Sequence, residues 1–171
     1  MINDHIKSQI YSKFSFTPTN GQNKIIENLA NWISEPDFDT IFILNGYAGT
    51  GKTTLISAFA HTLAELRIKP ILLAPTGRAA KVLSAYAGQP AYTIHKRIYR
   101  QKSITDTDSF SLNVNLSKHT LFIVDEASMI SNDGFSSSVF GTGRLLDDLI
   151  QYVYSGEGCR LMLMGDTAQL P

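Results

Sequence analysis

Apolar residues fall into two rhythms along this chain. Four short runs are almost continuously apolar: Thr40-Ile41-Phe42-Ile43-Leu44, Lys69-Pro70-Ile71-Leu72-Leu73-Ala74, Thr120-Leu121-Phe122-Ile123-Val124 and Arg160-Leu161-Met162-Leu163-Met164. Such runs predict strands buried on both faces. Around them, apolar residues recur at spacings of three and four, as helices require. One set is Ile25, Ile26, Leu29, Trp32 and Ile33; a second is Leu55, Phe59, Leu63 and Leu66; a third is Leu145, Leu146, Leu149, Ile150 and Val153. Shorter helices are expected over 78–86 and 93–98, the latter with Thr93 as its N-cap. Strands alternating with helices predict an α/β fold of three layers with a mainly parallel central sheet. Right-handed crossovers then gather the functional loops at the strand C-termini.

The remaining segments are less periodic. Residues 1–15 are polar with scattered Ile, Tyr and Phe, and fit either a short helix or an arm. Thr19 followed by Gln22 is a capping-box pattern at the start of the first long helix, and Pro36 stops that helix. Residues 100–118 read as a long surface excursion. Residues 131–143 hold four Ser and three Gly and read as a flexible insertion.

The stretch Asn45-Gly46-Tyr47-Ala48-Gly49-Thr50-Gly51-Lys52-Thr53-Thr54 matches G-x-x-x-x-G-K-[ST] from Gly46 to Thr53. An apolar strand precedes it and a helical pattern follows, which is the context this phosphate-binding loop needs. Successive backbone N–H groups in a glycine loop form a nest for phosphate oxygens, and the helix start adds unpaired N–H groups. Lys52 supplies a point charge for the β- and γ-phosphates, and Thr53 is placed to put its hydroxyl on Mg²⁺. Gly46, Tyr47, Ala48, Gly49, Thr50, Gly51, Lys52, Thr53 and Thr54 are therefore the expected nucleotide contacts.

The third apolar run ends in Asp125-Glu126. A carboxylate at a strand tip can hold Mg²⁺ opposite Thr53, and an adjacent Glu can orient or deprotonate a water for attack on the γ-phosphate. Asp125 and Glu126 thus favour hydrolysis of Mg-ATP over transfer to a second substrate.

Composition narrows the picture further. At 171 residues the chain is expected to form one domain with a sizeable core, and 43% hydrophobic with 18% charged residues suits a globular protein. Fifteen basic residues balance fifteen acidic ones, so any nucleic-acid surface must be a local patch. Cys159 is the single cysteine, which excludes an internal disulfide; it is expected to be half-buried and inert. His5, His61, His95 and His119 show no metal-ligand spacing. No apolar run approaches the ~18 residues of a membrane span, and no signal peptide is visible, so the expected location is cytoplasmic.

Several stretches in order resemble the motifs of a superfamily 1 DNA helicase of the RecD-like type. They are Thr19 to Gln22, Gly46 to Thr54, Ala74-Pro75-Thr76-Gly77-Arg78-Ala79-Ala80, Thr93-Ile94-His95-Lys96, Val124-Asp125-Glu126-Ala127-Ser128-Met129 and Gly165-Asp166-Thr167-Ala168-Gln169-Leu170-Pro171. The resemblance implies a RecA-like P-loop domain, with a helix over 16–34 and a P-loop core over 35–171. It implies that Gln22 reads the adenine edge and that Gln169 senses the γ-phosphate. It also implies that Pro75, Thr76, Arg78, Thr93, His95 and Lys96 lie along single-stranded DNA. The function it implies is ATP-dependent 5′-to-3′ translocation in DNA repair or recombination.

Such helicases carry a second RecA-like domain with an arginine finger. The stop at Pro171, within the last motif, is expected to make this chain an N-terminal portion of low activity by itself. Two other readings fit the same residues: the motor subunit of an ATP-dependent exodeoxyribonuclease with nuclease partner subunits, and a nucleotide-dependent switch or loader that does not translocate.

Overall fold

The computed structural model describes residues 1–46, 51–101, 105, 109–132 and 139–166. The chain opens with α1 (Ile2–Ser12) and α2 (Asn20–Ser34). It continues through β1 (Ile41–Asn45), α3 (Lys52–Glu65), β2 (Lys69–Ala74), α4 (Gly77–Ala87), β3 (Ala91–Thr93) and α5 (Ile94–Ile98). A small hairpin follows, β4 (Tyr99–Gln101) and β5 (Phe110–Leu112), then β6 (Thr120–Val124), a 3₁₀ turn (Ala127–Met129), α6 (Leu145–Tyr154) and β7 (Arg160–Gly165).

Among the described residues the main sheet is wholly parallel and has the order β1-β7-β6-β2-β3. Its two faces carry separate cores, as three layers demand. On one face Leu44, Leu72, Leu121, Ile123, Met162 and Met164 pack against α1, α2, α3 and α4. On the other, Ile71, Leu73, Phe122, Val124 and Leu161 meet Ile94 and Ile98 of α5 and Leu149 and Val153 of α6. The alternation of neighbours such as Leu72 and Leu73 between the two cores follows from the period-2 geometry of a strand. This is the RecA-like α/β arrangement expected from the sequence.

Several expectations change. Of the two readings open for residues 1–15, the helix is the one that forms, over Ile2–Ser12, and Ile6 and Ile10 enter the core. The run at β1 is not buried on both faces: Ile43 is 63% exposed while Leu44 is buried. Among the described strands β1 pairs only with β7, so it stands at the sheet's edge. Residues 100–118 are not a plain excursion, since β4 and β5 pair antiparallel there. Three-residue strands are too short to display a period, which also hides β3. Of the 131–143 insertion, residues 133–138 lie outside the described residues. After them, Phe140 stacks on Phe110 at 4.8 Å between centroids. Cys159 is buried rather than half-buried, at 2% exposure. Burial pushes its thiol up, in keeping with an inert side chain.

One clamp fixes α2 to the sheet. Arg160, buried at the start of β7, donates to the carbonyls of Trp32 and Glu35 at the end of α2. Its guanidinium lies 4.4 Å from the Phe38 ring centroid and 5.4 Å from that of Trp32. Trp32 Nε1 donates to Thr40 Oγ1 (2.9 Å) and Tyr154 Oη to the Thr40 carbonyl (2.7 Å), which sets where β1 begins.

Candidate functional site

The C-terminal ends of β1, β7, β6 and β2 lie side by side, because Asn45 is in register with Gly165, Val124 with Leu163 and Leu73 with Val124. Gly46 leaves β1 there, donating its N–H to the Gly165 carbonyl (3.2 Å). Tyr47, Ala48, Gly49 and Thr50 lie outside the described residues. The loop re-emerges at Gly51, the N-cap of α3, with φ of 79°. A Cβ at this position would stand 2.5 Å from Gln22 Nε2. The backbone conformation favours glycine, and any Cβ would also displace the Gln22 amide.

Lys52 opens α3 and turns back, so that its Nζ donates to the Gly46 carbonyl at 2.6 Å. Thr53 is half-buried in the first turn of α3 and Thr54 is exposed. Asp125 follows β6, its N–H donating to the Leu73 carbonyl (3.0 Å) and its Oδ1 accepting from the Glu126 N–H (2.8 Å). Burial holds the Asp125 carboxyl above the ordinary carboxylate range, while the Glu126 N–H and the positive charge of Lys52 pull against it. Lys52 and Asp125 therefore share one electrostatic environment.

Glu126 adopts the left-handed conformation, φ 52° and ψ 39°, as the N-cap of the 3₁₀ turn. A non-glycine residue there is strained by about 1 kcal/mol. Nothing in composition signals this. The turn packs on the end of β7, where a Cβ on Gly165 would lie 3.4 Å from Ser128 N. The Ser128 hydroxyl is buried, with no hydrogen-bond partner among the described residues. Sequence reasoning gave Ser128 no role of its own.

Gln22 resolves one open reading in part. Its Oε1 accepts from the Thr19 N–H (2.9 Å) and Thr19 Oγ1 accepts from the Gln22 N–H (3.2 Å), so the capping box forms. The same side chain also lies against Gly51 of the phosphate-binding loop.

Two helix starts stand at the same C-terminal edge, after β2 and β3, on the far side of β6 from the loop. Thr76 caps α4, accepting from the Ala79 N–H (3.2 Å), with Pro75 half-buried and Arg78 exposed. Thr93, in register with Ala74, caps α5 by accepting from the Lys96 N–H (3.1 Å). Lys96 is exposed, its Nζ 5.6 Å from the Tyr92 ring centroid. His95 turns inward instead: its ring meets Phe140 (4.9 Å) and Tyr99 (5.6 Å), and burial lowers its basicity. Gln169 lies outside the described residues. Among the described residues no cluster of His, Cys, Asp or Glu could hold a metal by itself, and no helix is long and apolar enough to cross a membrane.

A parallel sheet with a glycine loop after one strand, an acidic tip on another and Lys52 between them defines a P-loop nucleotide-binding domain. The family described as an AAA domain matches residues 18–171, so the chain belongs to that family and, by its relatives, is a superfamily 1 RecD-like helicase motor domain. The ATP-dependent RecD2 DNA helicase of Deinococcus radiodurans is 29% identical over 155 residues, 90% of this chain and 19% of that protein. The ATP-dependent DNA helicase dda of Enterobacteria phage T4 is 35% identical over 99 residues, 50% of this chain and 20% of its own. The multifunctional conjugation protein TraI of Escherichia coli is 32% identical over 139 residues, covering 72% of this chain and 7% of that protein. The chain thus spans a fifth or less of the length of these relatives.

Proposed function

We propose that this domain binds and hydrolyses Mg-ATP as the first motor domain of a DNA helicase, driving movement along single-stranded DNA. The observation that carries the reading is the convergence of Lys52, Asp125 and the left-handed Glu126 on one sheet edge, with the helix start at Thr76 on the neighbouring strand and that at Thr93 one strand further along the same edge. Phosphoryl transfer to water needs positioning and charge neutralisation above all. Lys52, now on the Gly46 carbonyl, would exchange that acceptor for β- and γ-phosphate oxygens. Glu126, at the tip of β6, would take a proton from the attacking water. Gln169 would sense the γ-phosphate.

The Thr53 hydroxyl and Asp125 carboxylate are hard oxygen donors of the kind Mg²⁺ takes, and both elements stand at the loop. The ion would neutralise charge on the phosphates when bound. Asp125 must be ionised for that role; burial holds its carboxyl above the ordinary carboxylate range in the unliganded domain, and a bound cation would pull it back toward the ionised form.

Pro75, Thr76, Arg78, Thr93 and Lys96 would contact the DNA backbone, with His95 supporting α5 from within. We assign 5′-to-3′ polarity and a role in repair or recombination to the intact protein, together with a second RecA-like domain that completes the ATP site. The support is the likeness to proteins described as ATP-dependent DNA helicases.

The deciding experiment is Glu126→Gln in the intact protein, followed by nucleotide binding and DNA-stimulated ATP hydrolysis. Binding should persist while hydrolysis falls by at least ~100-fold. Wild-type turnover in this variant would remove Glu126 from the mechanism.

A further inference from the structure

A polar cavity lies away from the sheet edge that carries the loop. It has a volume of about 400 Å³ and is lined by Lys69, Lys96, Arg97, Asn113, Ser117 and their neighbours. Lys69 is the first residue of β2, whereas Pro75 follows its last. Five strand rises of about 3.3 Å place Lys69 roughly 17 Å from the strand end. The cavity therefore sits on the flank of the domain, beside the α5 and α6 layer.

Its charge is one-sided. Three cations line it and no carboxylate does. Among the described residues none of the three forms an ion pair, and the nearby Glu157 is engaged by Lys118 at 2.9 Å. In a chain of zero formal net charge, three uncompensated cations in one cavity form a local patch.

Arg97 is also held in place. It is half-buried, its guanidinium carbon is 6.0 Å from the Phe122 ring centroid, and it donates to Ser117 Oγ at 3.2 Å. Its Nε is buried without a partner among the described residues. A guanidinium fixed on a ring and a hydroxyl loses little freedom when an oxyanion arrives, and its fork matches phosphate. Lys69 and Lys96 are exposed and can close on the same anion. Val114 and Leu116 flank the cavity at 59% and 85% exposure, apolar surface of a kind that a deoxyribose face can cover.

We infer that the cavity between Lys69, Arg97 and Ser117 binds a backbone phosphate of DNA on the domain's flank, continuing the strand-end track past Lys96, which the two share. The source of the phosphate rests on the DNA-motor reading above; the preference for phosphate rests on the cavity alone. In an advancing motor this contact would hold DNA that has left or not yet reached the strand-end edge.

The test is binding of a labelled oligothymidylate to the intact protein and to the double variant Lys69→Gln, Arg97→Gln. Salt is varied between about 50 and 200 mM. Neutralising one phosphate of a single strand contributes about 0.7 to the slope of log affinity against log salt. The double variant should lose about that much slope and bind about fivefold more weakly at low salt, with DNA-independent ATPase unchanged. An unchanged slope and affinity would overturn the inference.

Arg97 packs on the core, so Lys69→Glu, which alters only an exposed side chain, provides a second variant. It should weaken binding by a similar factor, and wild-type affinity would count against the site. Inorganic phosphate, followed by amide shifts of Asn113 and Ser117, separates the sources. Shifts reversed by DNA support a shared site, whereas shifts that DNA leaves untouched assign the cavity to free phosphate and overturn the DNA source. If the wild-type protein binds no oligothymidylate, the motor reading fails; if it binds and both variants match it, only this inference fails.

Discussion

Two cations near opposite ends of neighbouring strands show how differently this fold uses a positive charge. Arg160 begins β7 and is buried, with two helix-end carbonyls and two aromatic rings around it. Lys52 follows the end of β1, half-buried, and its Nζ is on a carbonyl of the very loop it serves. Arg160 replaces its water shell with permanent partners, so its charge is part of the packing. Lys52 holds an acceptor that a phosphate can displace with gain, because charge-assisted bonds to an anion are stronger than one to a neutral carbonyl. The N-terminal edge of the sheet is closed by such fixed contacts. The C-terminal edge keeps glycine, a left-handed Glu126 and a Ser128 hydroxyl without a partner among the described residues.

The largest expected contrast comes from exchanging each cation for a neutral side chain. Arg160→Met leaves the Trp32 and Glu35 carbonyls without their donor and removes the guanidinium between two rings. Urea denaturation should show a loss of about 2–3 kcal/mol, with nucleotide affinity of the folded protein retained. Lys52→Ala should leave stability within ~1 kcal/mol and weaken ATP binding at least ~tenfold. Equal stability losses in the two variants would erase the distinction between clamp and ligand.

A smaller effect probes the strained edge. Glu126 carries a left-handed backbone that glycine adopts freely. Glu126→Gly should therefore be more stable than Glu126→Ala by about 1 kcal/mol, although both lack the carboxylate and should be inactive. Thermal or urea melts of the pair measure the difference. If alanine is the more stable, the 3₁₀ turn after β6 does not have this conformation in solution.

The strength of each signal in the sequence followed the length over which it was written. β2, β6 and β7 announce themselves because their central residues, 71–74, 121–124 and 161–164, are all apolar and mostly buried. The helix from Lys52 and the capping box at Thr19 are spelled by several residues each. The Asp125-Glu126 tip was legible as chemistry, but not the left-handed turn at Glu126, which depends on how Ala127–Met129 packs against β7. β3 and the β4–β5 hairpin were hidden because three residues carry no period. The inward turn of His95 depends on Phe140, far along the chain. Lys69 read only as the first residue of a strand and Arg97 as part of a short helix, because only the fold brings Ser117 to Arg97 and an open cavity to both.

The smallest effect addresses the dual position of Gln22. Its capping-box partner and its contact with Gly51 are separable by mutation. Thr19→Ala removes the hydroxyl that accepts from the Gln22 N–H, at an expected cost of about 1 kcal/mol, and leaves the Gln22 amide beside the loop. Gln22→Ala removes the acceptor for the Thr19 N–H and the group against Gly51 together. Both variants should melt lower by similar amounts if capping is the only role. We expect a further difference in Gln22→Ala: the ratio of ATP to GTP affinity should fall severalfold, while Thr19→Ala keeps the wild-type ratio. An amide that can donate and accept matches the paired acceptor and donor on an adenine edge, which guanine does not present in that order. Identical ratios in both variants would make Gln22 a helix cap that merely touches the loop. A ratio lost in both would mean that the cap itself, by fixing α2, sets where the amide stands.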